Sequence, residues 1–153
     1  MNTQQLTDLT TQVRRDILRM VHKVNSGHPG GSLGCAEFLV CLYNEVMDFK
    51  LPFSMDGKDE DLFFLSNGHI SPVFYSVLAR RGFFPIKELN TFRLLNSRLQ
   101  GHPTPHEGLE GVRVASGSLE QGLFRMQISN LALAKDDNNG ITVSALTLEV
   151  YTK

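Results

Sequence analysis

The sequence predicts one α/β domain, and three patterns in it support that class. An amphipathic helix opens the chain, a short apolar segment is followed at once by a helix start, and an alternating segment lies near the end. With 153 residues, 41% of them apolar, the chain is long enough to form one core. We therefore expect a single domain over residues 1–153.

The first helix is predicted by apolar residues that recur every three or four positions. These residues are Leu6, Leu9, Val13, Ile17, Met20, Val21 and Val24. A second helix is expected at Ala36–Met47, where AEFLVCLYNEVM is apolar on nearly all sides, as in a helix with several neighbours. Cys35 and Cys41 are six residues apart, face different directions on a helix, and are expected to be reduced and buried.

The middle of the chain predicts a strand, a turn and a helix. After the turn SMDGKDE, the segment DLFFLS is a continuous apolar run of the kind that forms a strand covered on both faces. Ser71 and Pro72 then predict a helix, with the serine as N-cap and the proline at the first helical position, that closes at Gly82.

The last third of the chain begins with a long loop, GHPTPHEGLEGVRVASGS, from Gly101 to Ser118. A loop of this length is uncommon in a compact domain unless it has a function. The segment Ser118–Gln121 fits a capping box, so we expect a helix from there to about Lys135. Residues Ile141–Tyr151 alternate in polarity and predict one final strand.

Charge and hydropathy exclude several classes of protein. The net charge of −1 gives no electrostatic basis for binding nucleic acid or an anionic membrane. No apolar segment approaches the roughly 20 residues of a membrane span, and MNTQQLTDLT does not have the pattern of a signal peptide. We therefore expect a cytoplasmic protein.

Three histidines lie in turns at the ends of predicted elements: His28 in SGHPGG, His69 in SNGHIS and His102 in QGHPTP. The neighbouring glycines allow a ligand to approach both backbone and imidazole. Each histidine taken alone is more often a solvated loop residue, and we keep that interpretation for His22 and His106. The spacing of the histidines fits zinc poorly. The helix after His28 is expected to begin at Ser32.

Taken together, the segments SGHPGGSLG, DLFFLSNGHISPVFYSVLARRGFF and QGHPTPHEGLEGVRVASGSLEQGL resemble the N-terminal part of transketolase. The resemblance covers about Leu6 to Leu123, and the motifs occur in the same order. It implies a parallel-sheet α/β domain that binds thiamine diphosphate and a divalent metal, Mg²⁺, and an enzyme that transfers a two-carbon ketol unit between sugar phosphates of the pentose phosphate pathway.

The resemblance also implies roles for individual residues. His28 would assist proton movements on the sugar, and His102 would contact the hydroxyls of the transferred unit. His69 would reach the cofactor's diphosphate. The cofactor would further be lined by Gly117, Ser118 and Leu119.

The sequence departs from the family pattern at Glu120 and more widely after about residue 123. Glu120 replaces a glycine of GSLGQG, and a carboxylate about 4 Å from a diphosphate charge costs roughly 4 kcal/mol at an effective dielectric near 20. The same residue would favour the start of a helix. The GDG metal motif and the cofactor-activating glutamate have no counterpart, so the domain is expected to be incomplete at its C-terminal end. A truncated gene, a designed variant and a true split subunit all stay open as origins.

Two hypotheses follow. In the first, the chain is a transketolase section that needs a complementing chain or a homodimer partner. In the second, it is a non-catalytic transketolase-like domain that keeps the fold without cofactor binding. Isolation of this section would expose apolar surface, so we expect a dimer. Arg93 and Arg98, near the long loop, are interpreted as solvated surface residues rather than anion ligands.

Overall fold

The computed structural model describes residues 1–116, together with the backbone of residues 140–143 and 148–151. Its α-helices are α1 (Thr3–Val24), α2 (Pro29–Gly34), α3 (Ala36–Cys41) and α4 (Ser71–Arg80). Its strands are β1 (Leu62–Leu65), β2 (Gly140–Val143) and β3 (Leu148–Tyr151). A π-helical turn follows α3 at Leu42–Val46, and single 3₁₀ segments lie at Gly68–Ile70, Ile86–Thr91 and Pro105–Glu107.

Helix α1 confirms the prediction of a long amphipathic first helix. Asn2 and Gln5 form a reciprocal capping box at its start, and Asn25 ends it in the left-handed conformation. The buried side of the helix carries Val13 and Ile17, both fully inaccessible to solvent. Helix α1 therefore lies along the main hydrophobic core, where it packs mainly against α3 and α4.

The predicted second helix, Ala36–Met47, is shorter and less regular than expected. Regular α-helix ends at Cys41, and the next five residues form the π-helical turn. The prediction that both thiols are buried was wrong for Cys41, which is exposed, whereas Cys35 is half-buried. Burial raises the pKa of the Cys35 thiol and so favours its protonated form. Both cysteines are free, as expected.

Strand β1 confirms the prediction from DLFFLS, because all four of its residues are buried. The sheet differs from the expected parallel arrangement. The described strands have the order β1-β3-β2, and both pairs are antiparallel. The predicted single strand at 141–151 is two strands, separated by residues 144–147. A parallel connection needs a dozen or more residues, so this separation allows only an antiparallel pair.

Helix α4 is the most deeply buried helix of the described part of the chain. All of its residues from Ser71 to Ala79 are buried. Ser71 is the first helical residue rather than the predicted N-cap, since its backbone is already helical and its hydroxyl bonds elsewhere. Gly82 follows the helix end with a φ of +86°, which fits the predicted stop. No helix among the described residues is long and apolar enough to cross a membrane.

A buried polar cluster joins α1 to α4. One carboxylate oxygen of Asp16 accepts hydrogen bonds from the Ser76 hydroxyl at 2.8 Å and from Arg80 Nε at 2.7 Å. Asp16 is 6% exposed, so these two donors, together with Arg19 Nη1 at 3.8 Å, take the place of water around its carboxylate. The cluster therefore fixes how the two helices pack together.

We predict that Asp16→Ala lowers the free energy of unfolding by about 3 kcal/mol, because it leaves Arg80 without its charged partner in a largely buried position. Denaturant unfolding followed by circular dichroism measures the change. Asp8→Ala is the matched control, because Asp8 is exposed and accepts a hydrogen bond from the exposed Gln4 side chain, so its loss should change stability by less than about 0.5 kcal/mol. Equal effects of the two substitutions would contradict the role of Asp16 in joining α1 to α4.

Candidate functional site

The three turn histidines selected from the sequence lie together in the structure. The ring centroids of His28 and His69 are 4.7 Å apart, and those of His69 and His102 are 5.0 Å apart. Both pairs meet edge to face, at interplanar angles of 66° and 86°. We call this group the histidine cluster; His69 is its central member.

Each histidine comes from a different connection between elements. His28 directly precedes Pro29 and α2, and it is exposed. His69 lies in the 3₁₀ turn between β1 and α4, and it is half-buried. His102 lies in the loop that follows Gly101 and is also half-buried. Helix α2 begins at Pro29 rather than at Ser32 as expected, so His28 directly adjoins the helix start.

Gly68 allows His102 to approach the β1–α4 turn closely. A Cβ atom on Gly68 would lie 2.6 Å from His102 Cδ2 and 2.8 Å from Ser116 Oγ. Ser116 in turn donates its backbone N–H to the Pro103 carbonyl at 3.0 Å, which holds the long loop together at both ends. Only a residue without a side chain fits at position 68 while His102 and Ser116 remain in place.

Helix α4 anchors the loop that carries His102. The Ser71 hydroxyl donates to the Gly101 carbonyl at 2.7 Å, and the Tyr75 hydroxyl donates to the Gln100 carbonyl at 2.8 Å. Burial raises the pKa of Tyr75 far above its ordinary value, so this hydroxyl stays protonated and remains a donor. Two consecutive carbonyls ahead of His102 are therefore fixed to one buried helix.

The environment of His102 favours its neutral form. Burial lowers the pKa of His102 below its ordinary value of 6.5, and the nearby His69, Arg93 and His28 add to the effect. Its Nε2 atom is buried and has no hydrogen-bond partner within the described part of the chain. A neutral imidazole with an unsatisfied nitrogen is suited to exchange a proton or a hydrogen bond with a polar ligand.

The structure corrects the interpretation of the two arginines as solvated surface residues. Arg98 forms a two-point ion pair with Glu88, with both N–O distances 2.9 Å, and also pairs with Glu110. Arg93 is half-buried, and its Nη1 donates to the Ser26 hydroxyl at 2.5 Å, close to the histidine cluster. The sequence did not reveal the contact of Arg93 with Ser26, because the two residues lie 67 positions apart and no local pattern links them.

Several predicted features cannot be placed in this site. Gly117, Ser118 and Leu119, the predicted capping box at 118–121 and Glu120 lie outside the described residues. His22 and His106 are exposed, which agrees with their interpretation as surface residues. Across residues 1–116, no group of three or more His, Cys, Asp or Glu side chains is arranged to hold a metal ion.

Comparison with known proteins identifies the family of the chain. A family model described as "Transketolase, thiamine diphosphate binding domain" matches residues 7–145. Transketolase 2 of Escherichia coli K12 is 40% identical over 121 residues, which cover 76% of this chain and 17% of that protein.

Solved structures give the same result. The transketolase of Leishmania mexicana superposes with a TM-score of 0.71 at 32% identity, covering 80% of this chain and 18% of that one. A Pichia stipitis transketolase in complex with sedoheptulose-7-phosphate superposes with a TM-score of 0.70 at 32% identity, covering 77% of this chain and 17% of that one. The chain belongs to the transketolase family, as its sequence motifs predict. It spans less than a fifth of the length of these relatives.

We predict that Gly68→Ala lowers the free energy of unfolding by about 1–3 kcal/mol, because the added methyl group overlaps the ring of His102. Denaturant unfolding measures the loss. Gly30→Ala is the matched control, since a Cβ at Gly30 meets no atom within 4 Å. If the two alanine variants were equally stable, the close approach of His102 to Gly68 would be contradicted.

Proposed function

We propose that this chain is the N-terminal, thiamine-diphosphate-binding part of a cytoplasmic transketolase-like enzyme. In this proposal it contributes to the transfer of a two-carbon ketol unit between sugar phosphates, together with a complementing chain or a second copy. The observation that carries the proposal is the histidine cluster, because it brings together one histidine from each of the three motifs on which the family resemblance rests. Sugar-phosphate chemistry is supported by the relative that was solved with sedoheptulose-7-phosphate.

His69 is proposed to contact the diphosphate of the cofactor. It is the central ring of the cluster and projects from the turn at the start of α4, where Gly68 leaves room for a close neighbour. Gly117, Ser118 and Leu119 are proposed to line the same cofactor. They follow Ser116 directly in the chain, and the Ser116 side chain lies against Gly68.

His28 and His102 are proposed to act on the sugar. When bound, thiamine diphosphate supplies the stabilisation of the carbanion, which no amino-acid side chain provides. His102, whose lowered pKa keeps it neutral at pH 7, is able to accept a hydrogen bond or a proton from a substrate hydroxyl. His28 is exposed, so a substrate could reach it, and it is proposed to move protons on the sugar.

The described residues do not fit a divalent metal. Mg²⁺ prefers carboxylate and other oxygen ligands, and no suitable group of acidic side chains, histidines or cysteines occurs within residues 1–116. We therefore assign no metal ligand and derive no step that requires one. Glu120, a carboxylate where the family pattern has a glycine, favours the second candidate function, a transketolase-like domain that keeps the fold without binding the cofactor.

A partner is proposed from the apolar surface. Several large apolar side chains are about half exposed or more, and Leu95 is 91% exposed. The others are Met1, Leu18, Val46, Met55, Leu51 and Ile86. When large exposed apolar side chains form one continuous patch, that patch is typical of a surface that a partner covers. We propose that a complementing chain or a second copy of this chain covers part of them.

We predict that thiamine diphosphate binds the purified chain with micromolar affinity in isothermal titration calorimetry with excess Mg²⁺. His69→Ala should weaken binding at least about tenfold, because a hydrogen bond to a charged group contributes about 1.5–3 kcal/mol. His106→Ala is the matched control, since His106 is exposed on the loop of His102, and should leave affinity unchanged. Glu120→Gly should strengthen binding if its carboxylate faces the diphosphate.

The two candidate functions predict different results. Binding that His69→Ala weakens and His106→Ala does not would support the enzyme section. A chain that is folded by circular dichroism and binds no cofactor, with or without Glu120→Gly, would contradict it and support the non-catalytic domain.

A further inference from the structure

We propose that Arg93 is the positioning residue of the histidine cluster, which it organises by bridging the turn of His28 and the loop of His102. The bridge itself is independent of any ligand, whereas its catalytic consequence rests on the function proposed above. No sequence motif indicated this role. It follows from the contacts of the guanidinium group and from the backbone conformation of Arg93.

The guanidinium group contacts both histidine-bearing segments. On one side, its Nη1 atom donates to Ser26 Oγ at 2.5 Å, and Ser26 lies two residues before His28. On the other side, it lies against Gly101, the residue before His102. A Cβ atom on Gly101 would be 2.7 Å from both Nε and Nη2 of Arg93. The absence of a side chain at Gly101 therefore makes room for the guanidinium group.

The backbone directs the Arg93 side chain to this position. Arg93 has a φ of +56°, in the left-handed region that residues other than glycine rarely adopt. Its N–H donates to the Leu99 carbonyl at 2.8 Å, so the unusual conformation is fixed across the loop. Phe92 is 1% exposed and lies under the guanidinium, with Arg93 Cζ 5.6 Å from the ring centroid. These contacts leave the side chain little freedom to move.

Within residues 1–116, Arg93 has no acidic partner of the kind that its neighbour Arg98 has. Arg93 Nε is buried and has no hydrogen-bond partner among the described residues, while Arg98 is paired with Glu88 and Glu110. The charged or titratable groups that act on His102 are His69, Arg93 and His28, and each of them disfavours its protonation. Arg93 thus orients the His102 loop and also helps to keep His102 neutral.

The consequence for function is a fixed distance between the two histidines proposed to act on the sugar. His28 and His102 each contact His69 and come from connections far apart in the chain. The Arg93 side chain contacts both the turn at Ser26 and the loop at Gly101, and so links the two segments. A substrate held by both histidines would then meet groups whose spacing is set before binding.

The test is an NMR titration of the full chain, labelled with ¹³C in its histidine rings and measured without ligand. The variants are Arg93→Gln, Arg93→Lys and Ser26→Ala, and Arg98→Lys is the matched control. We expect Arg93→Gln to raise the pKa of His102, because a nearby positive charge is lost and the loop becomes more accessible to water. Arg93→Lys keeps the charge but loses the planar contact with Gly101. The ring signals of His102 in Arg93→Lys should therefore still differ from those of the wild-type chain.

Ser26→Ala gives the decisive result, since it removes the bridge while it leaves the arginine charge in place. We expect it to shift the ring signals of both His28 and His102, and we expect Arg98→Lys to shift neither. Wild-type ring signals in both Ser26→Ala and Arg93→Lys would overturn the proposal and leave Arg93 with an electrostatic role alone. If Arg93→Gln fails to fold, Ser26→Ala still decides the question. Because no cofactor is added, failure of the bridge is distinguishable from failure of cofactor binding.

Discussion

The close approach of His102 to the turn at Gly68 is the contact on which the rest of the site depends. There is no room for a side chain at position 68, where a Cβ would be 2.6 Å from the His102 ring. The same turn carries His69, so the position of His102 also fixes the contact between these two rings. His28 also contacts His69, with the ring centroids 4.7 Å apart. His69 and His102, which are distant in the sequence, therefore meet because the missing side chain at Gly68 leaves room for the His102 ring.

This arrangement is possible because α4 is a rigid and almost fully buried support. Its first turn holds the Gly101 carbonyl through Ser71, and the next turn holds the Gln100 carbonyl through Tyr75. Its other face is fixed to α1 through the buried carboxylate of Asp16. Functional side chains placed on loops need such a scaffold, since a loop alone does not hold an imidazole in one orientation. Core packing and site geometry are thus connected through a single helix.

The sequence predicted those parts of the structure that produce local patterns. Helix α1 was predicted from its apolar period and β1 from its continuous apolar run, because both are buried in a regular way. The sequence pointed to each histidine separately, through the glycines of its turn. Only the structure shows that the three histidines lie close together. The start of α2 at Pro29 could have been predicted from the preference of proline for the first helical turn. The antiparallel strand pairs and the role of Arg93 depend on tertiary contacts that leave no local pattern.

Membership of the transketolase family makes the histidine cluster the centre of the functional account, and its geometry is directly measurable. The test is a NOESY spectrum of the free chain with ¹³C-labelled histidine rings. Centroid separations of 4.7 and 5.0 Å place ring protons within reach of each other, so we predict cross-peaks from His69 to both His28 and His102. His22 and His106 should give no cross-peaks to the cluster. A folded chain in which His69 contacts neither of the other two rings would contradict the account.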